Sequence, residues 1–88
     1  MKPLIEVTRE NATPLQSMYL RYSRESVSAT TSLDGEDHFV NVDLDAHGEV
    51  VGIEIVAPDD ESVDLVSAFA HENRLSLAGV FVPNDIGA

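Results

Sequence analysis

The stretch Asp43-Leu44-Asp45-Ala46-His47-Gly48-Glu49-Val50-Val51-Gly52-Ile53-Glu54-Ile55 predicts the tip and the second arm of a β-hairpin. Apolar residues alternate with polar ones on both sides of the tip, and this period of two is typical of half-buried strands. Residues 45–48 fit a loop built around a type I turn, with Gly48 in the left-handed conformation that glycine adopts without a Cβ clash. A loop of this length predicts the cross-strand pairs Leu44–Glu49, Val42–Val51 and Val40–Ile53.

Further strand patterns precede this hairpin along the chain. Residues 4–8, 18–22 and 26–33 each alternate between apolar and polar positions, and short polar segments separate them. Strands and turns that repeat at such short spacing are typical of an antiparallel meander. We therefore expect an α+β fold, in which an antiparallel meander sheet of four to five strands carries one C-terminal amphipathic helix packed on it.

The helix is predicted to begin directly after Pro58, which ends the last hairpin strand. Asp59 or Asp60 can cap its first turn, where carboxylates also interact favourably with the helix dipole. One side of the helical wheel carries the apolar residues Val63, Leu65, Val66, Phe69 and Ala70. Beyond the helix, Val80-Phe81-Val82 predicts a short final strand.

The hairpin sequence resembles the signature of a small bacterial domain family of unknown function. The resemblance rests on Val42-Asp43-Leu44-Asp45-x-x-Gly48-x-Val50-Val51-Gly52-Ile53-Glu54-Ile55, and Met18-Tyr19-Leu20-Arg21 is similar to the family's preceding Leu-Tyr-Ile-type strand. It spans roughly residues 4–70; Gln16-Ser17 replaces an acidic residue usual before the first motif, and the segment after Arg74 has no counterpart. The resemblance implies an α+β fold with a hairpin followed by a helix. It implies no established activity, so it assigns no catalytic residues.

The length and composition indicate a single small domain. The 88 residues leave no room for a second core, and we expect residues 1–83 to form one α+β domain followed by a frayed tail at residues 84–88. Cysteine is absent from the sequence, which excludes disulfides and cysteine-ligated metals. Since no stretch resembles a membrane span or a signal peptide, the expected location is cytoplasmic.

Negative charge dominates the sequence. Sixteen acidic residues against five basic ones give a formal net charge of −11 at pH 7. Nucleic acids and anionic membranes repel such a chain, so we expect neither as a partner. The acidity leaves two interpretations open, because it suits solubility or a salty environment and also suits recognition of a basic protein.

The hairpin tip matches part of a calcium-binding pattern. Asp43, Asp45, His47, Gly48 and Glu54 fall at loop positions 1, 3, 5, 6 and 12 of an EF-hand. However, a histidine stands where the cation requires oxygen, and strand patterns flank the loop where the motif requires helices. The histidines also lack the spacing of a zinc site. We therefore expect no metal and no cofactor.

Two functions from different classes remain as hypotheses. The chain contains no nucleophile elbow, no glycine-rich phosphate loop and no cysteine, so we expect a non-enzymatic protein without catalytic residues. The first hypothesis is a small acidic protein-interaction domain that self-associates. The alternative is an acidic neutraliser of a basic protein partner, comparable to the antitoxin of a toxin–antitoxin pair.

A symmetric homodimer is the assembly that the sequence favours. One helix covers only part of one sheet face, and a two-fold dimer is the commonest way to cover the other. Burial of a large apolar side chain contributes about 1.5 kcal/mol or more, so we expect the second face to be covered. The predicted interaction residues are Tyr19, Phe39, Val50 and Val56 on that face, together with Val80, Phe81 and Val82 of the C-terminal segment.

Overall fold

The computed structural model describes residues 1–11 and 16–81, and within these ranges the chain forms one five-stranded antiparallel sheet and one α-helix. The predicted α+β fold with its C-terminal helix is therefore confirmed. The predicted tail at residues 84–88 lies outside the described residues. The elements are β1 (Glu6–Asn11), β2 (Gln16–Arg21), β3 (Ala29–Ser32), a 3₁₀ turn (Gly35–Asp37), β4 (Val40–Leu44), β5 (Val50–Val56) and α1 (Asp60–Glu72).

The strands lie in the order β1-β2-β5-β4-β3. β3, β4 and β5 follow one another as the predicted meander, but β2 pairs with β5 rather than with β3. β5 therefore lies in the middle of the sheet, with β1 and β3 at its edges. This placement suits the sequence of β5, because its apolar residues Val51, Ile53 and Ile55 are completely buried in the middle of the sheet.

The hairpin turn between β4 and β5 forms as predicted. The backbone N–H of Gly48 donates to the carbonyl of Asp45 at 3.1 Å, and Gly48 has the expected positive φ of 80°. The Asp45 carboxylate accepts from the N–H groups of His47 and Glu49 at 2.8 and 3.0 Å. These hydrogen bonds, the one from Glu49 first, lower the pKa of Asp45, because they stabilise its ionised form.

The register of this hairpin differs from the prediction. Asp45 donates to the carbonyl of Glu49 at 2.9 Å, so the loop is one residue shorter than expected. A β-bulge follows, because Asp43 pairs with Gly52 while Leu44 pairs with Val50, which leaves Val51 as the extra residue. The predicted pairs Leu44–Glu49, Val42–Val51 and Val40–Ile53 are therefore wrong. The observed pairs are Leu44–Val50, Val42–Ile53 and Val40–Ile55.

Helix α1 covers one face of the sheet. Its cap is Asp59, whose side chain accepts from the N–H of Ser62 at 2.8 Å while the hydroxyl of Ser62 accepts from the N–H of Asp59 at 2.8 Å. Val66 and Ala70 on the helix are buried, and they pack on a core contributed by the three strands β2, β4 and β5 and by the segment after the helix. The strand residues of this core include Leu20, Val40, Val42, Ile53 and Ile55.

The segments that flank the sheet pack against each other. Lys2 forms a parallel bridge with Leu75, and its ammonium donates to the carbonyl of Val50 at 2.8 Å. The hydroxyl of Tyr22 donates to the carbonyl of Ser76 at 2.8 Å, across 54 residues of chain. The N-terminal segment and the segment after α1 are therefore both held against the strands.

The predicted final strand does not form at Val80 and Phe81. Ala78 and Gly79 have positive φ values of 48° and 77°, and the N–H of Val80 donates to the carbonyl of Leu77 at 2.8 Å. The chain therefore turns at this point rather than extending. Val82 lies outside the described residues.

Candidate functional site

The structure separates the residues that the sequence grouped as an interaction surface. Val50 is only 8% exposed and belongs to the main core, so its prediction on the second face is wrong. The cause is the bulge at Val51, which reverses the alternation of side chains at that point of β5. Val80 and Phe81 are partly buried and pack against the same core, so they cover the chain's own interior.

The other predicted residues remain outside the core. Phe39 is 46% exposed, whereas Tyr19 and Val56 are half-buried. Tyr19 and Val56 lie on the sheet face that is turned away from α1, because their neighbours Leu20 and Ile55 point into the core. We call this second face the open face. It brings Tyr19 together with polar residues rather than with the apolar cluster that the sequence predicted.

A polar network centred on Tyr19 occupies the open face. The Tyr19 ring lies across Gly52, where a Cβ atom would collide with the ring and the hydroxyl. The Tyr19 hydroxyl donates to Oδ2 of Asp43 at 2.8 Å, and the hydroxyl of Thr30 donates to Oδ1 of the same carboxylate at 2.6 Å. The guanidinium carbon of Arg21 lies 5.3 Å from the centre of the Tyr19 ring, a favourable cation–π distance.

The electrostatics of this network do not activate the tyrosine. Burial raises the pKa of Tyr19, and the hydrogen bond to Asp43 and the charge of that carboxylate raise it further. Tyr19 therefore stays a neutral phenol that donates to Asp43. A tyrosine that acts as a base or nucleophile requires a lowered pKa, so the network is suited to holding strands β2, β4 and β5 together.

A cleft lies at the end of the sheet where the segment before β4 meets the start of α1. The cleft has a volume of about 320 Å³. Apolar atoms come from Phe39, Val40, Ala57 and Leu65, and the acidic residues Asp34, Asp37, Asp59 and Glu61 line it together with Ser62. We call this site the acidic cleft. It combines an exposed aromatic ring with several carboxylates.

Two of the four carboxylates in the acidic cleft have structural roles. Asp34 accepts from Oγ of Ser32 at 2.8 Å and from the N–H groups of Phe39 and Val40 at 2.9 and 3.3 Å. Desolvation acts to raise its pKa, but these hydrogen bonds outweigh that effect and the pKa is lowered. The pKa of Asp59 is lowered by the backbone and side-chain hydrogen bonds of Ser62. Both carboxylates are therefore held ionised.

Negative charge around the acidic cleft extends beyond its lining residues. The chain contains no Lys or Arg between Arg24 and Arg74, and all residues that line the cleft lie within this stretch. Asp37 and Glu61 at the cleft are exposed to solvent. The two segments that meet here carry Asp34, Glu36, Asp37, Asp59, Asp60, Glu61 and Asp64.

Two backbone positions beside the acidic cleft adopt the left-handed conformation without being glycine. His38 has a φ of 57° and Ala57 a φ of 51°. They lie next to each other at the end of the hairpin, because the N–H of Val56 donates to the carbonyl of Phe39 at 2.7 Å. Such conformations cost roughly 1 kcal/mol each, so the packing around the cleft holds them in place.

Clusters of metal-ligating side chains were sought among the described residues. Within residues 1–11 and 16–81, no group of three or more His, Cys, Asp or Glu side chains is placed to hold a metal ion. His38, His47 and His71 are all exposed, and they lie before β4, in the hairpin turn and near the end of α1. In the same described ranges, no helix has the length and apolarity to cross a membrane.

Comparisons with known proteins add no identification. No protein-family model, curated protein or solved structure matches the chain. The class of protein is therefore defined by the structure alone, as an α+β domain with a five-stranded antiparallel sheet and one C-terminal helix among the described residues. The resemblance to a bacterial family of unknown function stays a prediction.

Proposed function

We propose that this chain is a small non-enzymatic protein-interaction domain, and that it binds a basic segment of a partner protein at the acidic cleft. The observation that carries the proposal is the composition of the cleft, which the exposed Phe39 lines together with the acidic residues Asp37 and Glu61. A site of this kind suits a lysine or arginine side chain, whose long apolar stem ends in a cation.

The arrangement assigns a role to each part of the cleft. The stem of a bound lysine or arginine packs on Phe39 and Leu65, and an arginine head can also stack on the aromatic ring. The cation pairs with Asp37 or Glu61 at the solvent-exposed rim. A volume of about 320 Å³ accommodates one or two such side chains rather than a folded surface, so the partner presents a protruding basic segment.

The net charge supports the same partner class. A chain with a charge of −11 attracts a basic protein over a distance and increases the rate of encounter at low salt. The same charge repels nucleic acids and anionic membranes, and neither belongs to the proposal. Neutralisation of a basic protein, as by an antitoxin, is one biological use of such binding, and a cytoplasmic location is part of the proposal.

The non-enzymatic part of the proposal has its own support. On the open face, Tyr19 and Asp43 are a hydroxyl and a carboxylate in direct contact, but the raised pKa of Tyr19 opposes proton abstraction. In the acidic cleft, Asp34 and Asp59 already accept hydrogen bonds within the chain, and their lowered pKa values oppose proton uptake, so neither is suited to act as a general acid or base near neutral pH.

Binding of a labelled arginine-rich peptide tests the cleft. The test variant is Asp37→Asn/Glu61→Gln, which removes two charges at the rim. The matched control is Glu25→Gln/Glu49→Gln, which removes two charges from exposed residues elsewhere. We expect the first pair to weaken binding by roughly fivefold or more, because each exposed ion pair contributes up to about 1 kcal/mol, and the second pair to have a much smaller effect.

The control variant decides whether the site is specific. An equal loss of affinity in both double variants would mean that the peptide responds only to net charge, and the cleft proposal would then be wrong. Phe39→Ser adds an independent readout, because it removes the apolar contact and leaves the charge unchanged. Its loss of affinity should persist at high salt, where the contribution of the carboxylates is screened.

Self-association is a second candidate function, and the exposed apolar side chains favour it. Ile5 and Val27 are 41% and 49% exposed, in addition to Phe39. Ile5 directly precedes edge strand β1, and Val27 lies just before edge strand β3. Val50, which the sequence predicted on the homodimer surface, belongs to the core. The exposed Ile5 and Val27 instead favour self-association through the edges of the sheet.

A further inference from the structure

The two edge strands of the sheet differ in how they are protected. β1 carries charged residues along its length, and such residues oppose the addition of another strand. β3 carries only Ala29, Thr30, Thr31 and Ser32. Among the described residues, no strand pairs with its outer side. The sequence of β3 contains no proline, so its outward N–H groups are available to a further strand.

The backbone of β3 directs the hydrogen-bonding groups of alternate residues outward. The N–H of Leu33 donates to the carbonyl of Val40 at 2.9 Å, which continues the register of the β3–β4 pair. In an antiparallel ladder, residues that bond to the neighbouring strand alternate with residues whose backbone groups point away from it. The N–H and carbonyl groups of Thr30 and Ser32 therefore point to the outer side of the sheet.

The two ends of β3 differ in charge. Before the strand, Arg24 and Glu25 are adjacent and their charges offset each other. After the strand comes an acidic segment with Asp34, Glu36 and Asp37, and two of these residues also line the acidic cleft. The outer edge of β3 therefore leads directly to the cleft. An occupant suited to this edge is uncharged along β3 and basic where it reaches the cleft.

We propose that the basic segment bound at the acidic cleft continues as an extended strand along the outer edge of β3, antiparallel to it, with its lysine or arginine residues N-terminal to the paired part. The inference rests on the proposed function and adds the conformation and the direction of the partner segment. Because β3 runs toward the cleft, an antiparallel strand begins at the cleft and runs away from it. Strand addition of this kind gains affinity from main-chain hydrogen bonds.

Charge complementarity favours this occupant over a second copy of the chain. A second copy brings its own net charge of −11 to the same edge. Its β3, paired antiparallel, would place its acidic segment beside Arg24 and Glu25, whose charges cancel, and would supply no cation to the acidic cleft. A basic segment instead pairs its cations with the cleft carboxylates, which also attract it during encounter.

Two peptides of the same composition and opposite order test the direction of binding. The first is Arg-Arg-Gly-Thr-Val-Ser-Val-Thr and the second is its reverse, each acetylated and amidated so that terminal charges do not contribute. When each pairs antiparallel to β3, only the first brings its arginines to the cleft. Isothermal titration calorimetry with the full chain should therefore give a dissociation constant at least about fivefold lower for the first peptide.

N-methylation of the first peptide tests the strand pairing itself. In an added strand, alternate N–H groups of the peptide point to β3, and a methyl group on one of these removes the donor and blocks close approach. N-methylation at the first valine and N-methylation at the adjacent serine should therefore differ in effect. We expect one of the two to weaken binding by roughly tenfold and the other to change it much less.

Amide hydrogen exchange gives a matched readout on the protein. On binding of the first peptide, the outward N–H groups of Thr30 and Ser32 should gain protection. The N–H of Thr31 faces β4 and should change little, so it serves as the control within the same strand.

Each result decides between binding modes. Equal affinities of the two peptides, or equal effects of N-methylation at adjacent positions, overturn the strand pairing, and the proposed function then stands if Asp37→Asn/Glu61→Gln still weakens both peptides. If that double variant weakens neither, or if neither peptide binds, the proposed function and the pairing are both wrong. A dimer mass in light scattering without peptide, with Thr30 and Ser32 already protected, would show that a second copy occupies the edge and would overturn the pairing with a basic segment.

Discussion

The two faces of the central strand β5 are stabilised in different ways. On the face covered by α1, Ile53 and Ile55 are completely buried among other apolar side chains. On the open face, Gly52 has no side chain. The ring of Tyr19 covers it, and the hydroxyl of Tyr19 donates a hydrogen bond to Asp43. One face therefore depends on hydrophobic burial. The other depends on one aromatic ring, a hydrogen bond and a nearby cation.

This difference shows why an alternating sequence does not by itself reveal an interface. The open face carries an aromatic residue, which suggested a surface to be covered by a partner. Tyr19 instead makes its contacts within the chain, because its ring covers the backbone at Gly52 and its hydroxyl donates a hydrogen bond to the Asp43 carboxylate. A glycine in a central strand commonly marks a close approach of this kind.

Truncation on the covered face should have the largest effect. Ile53→Ala removes a fully buried side chain and leaves a cavity, so we expect a loss of about 3 kcal/mol or more in the free energy of unfolding. Val56→Ala, on the open face of the same strand, should cost under about 1 kcal/mol. Urea denaturation of both variants measures the contrast. Equal losses in the free energy of unfolding would show that the two faces contribute equally to stability.

A side chain at Gly52 should have an intermediate effect. In Gly52→Ala, the new methyl group displaces the Tyr19 ring and breaks its bond to Asp43, so we expect a loss of about 1–3 kcal/mol in stability. The same substitution in a Tyr19→Ala background should cost much less, because the ring is already gone. A double-mutant cycle measures this coupling, and an additive result would contradict the proposed contact.

Alkaline titration should give the most specific effect. The protein has two tyrosines, and burial raises the pKa of Tyr22 to about 12 while burial and Asp43 raise that of Tyr19. Because both folded pKa values lie above the ordinary 10, their contribution to stability is present below pH 10 and is lost as the pH rises through the folded values. Urea denaturation at increasing alkaline pH should show this decline.

The variant Asp43→Asn distinguishes the two tyrosines. It removes a charge and an acceptor beside Tyr19 but leaves the surroundings of Tyr22 unchanged. The absorbance of tyrosinate should then show one group titrating earlier than in the wild type, with the other unmoved. If neither transition shifts, the hydrogen bond between Tyr19 and Asp43 does not form in solution.

Local sequence signals predicted much of the fold. The turn at Gly48, the cap at Asp59 and the α+β class all follow from residues close together in sequence. The register of the hairpin did not follow, because matched apolar faces are equally satisfied when the strands slip by two residues. The bulge at Val51 produced that slip and moved Val50 into the core.

The acidic cleft required information that no single segment contains. One of its acidic segments was predicted as the start of the helix, and the other, at residues 34–37, lies between two predicted strand patterns. Their meeting could have been inferred from the hairpin, because pairing of Val40 with either Ile53 or Ile55 brings the residues before β4 close to those after β5. The close contact of Tyr19 with Gly52 could also have been inferred, because a glycine within an otherwise apolar strand often marks a site where another group approaches the backbone closely.

The contacts made by Lys2 and Ser76 have a consequence for how the chain folds. Lys2 reaches Val50 across 48 residues, and Tyr22 reaches Ser76 across 54. Contacts between distant residues require closure of a long loop, so we expect them to form late in folding. The β4–β5 hairpin can form early from local contacts alone. If the N-terminal segment attaches after the transition state, shortening that segment should accelerate unfolding more than it slows folding.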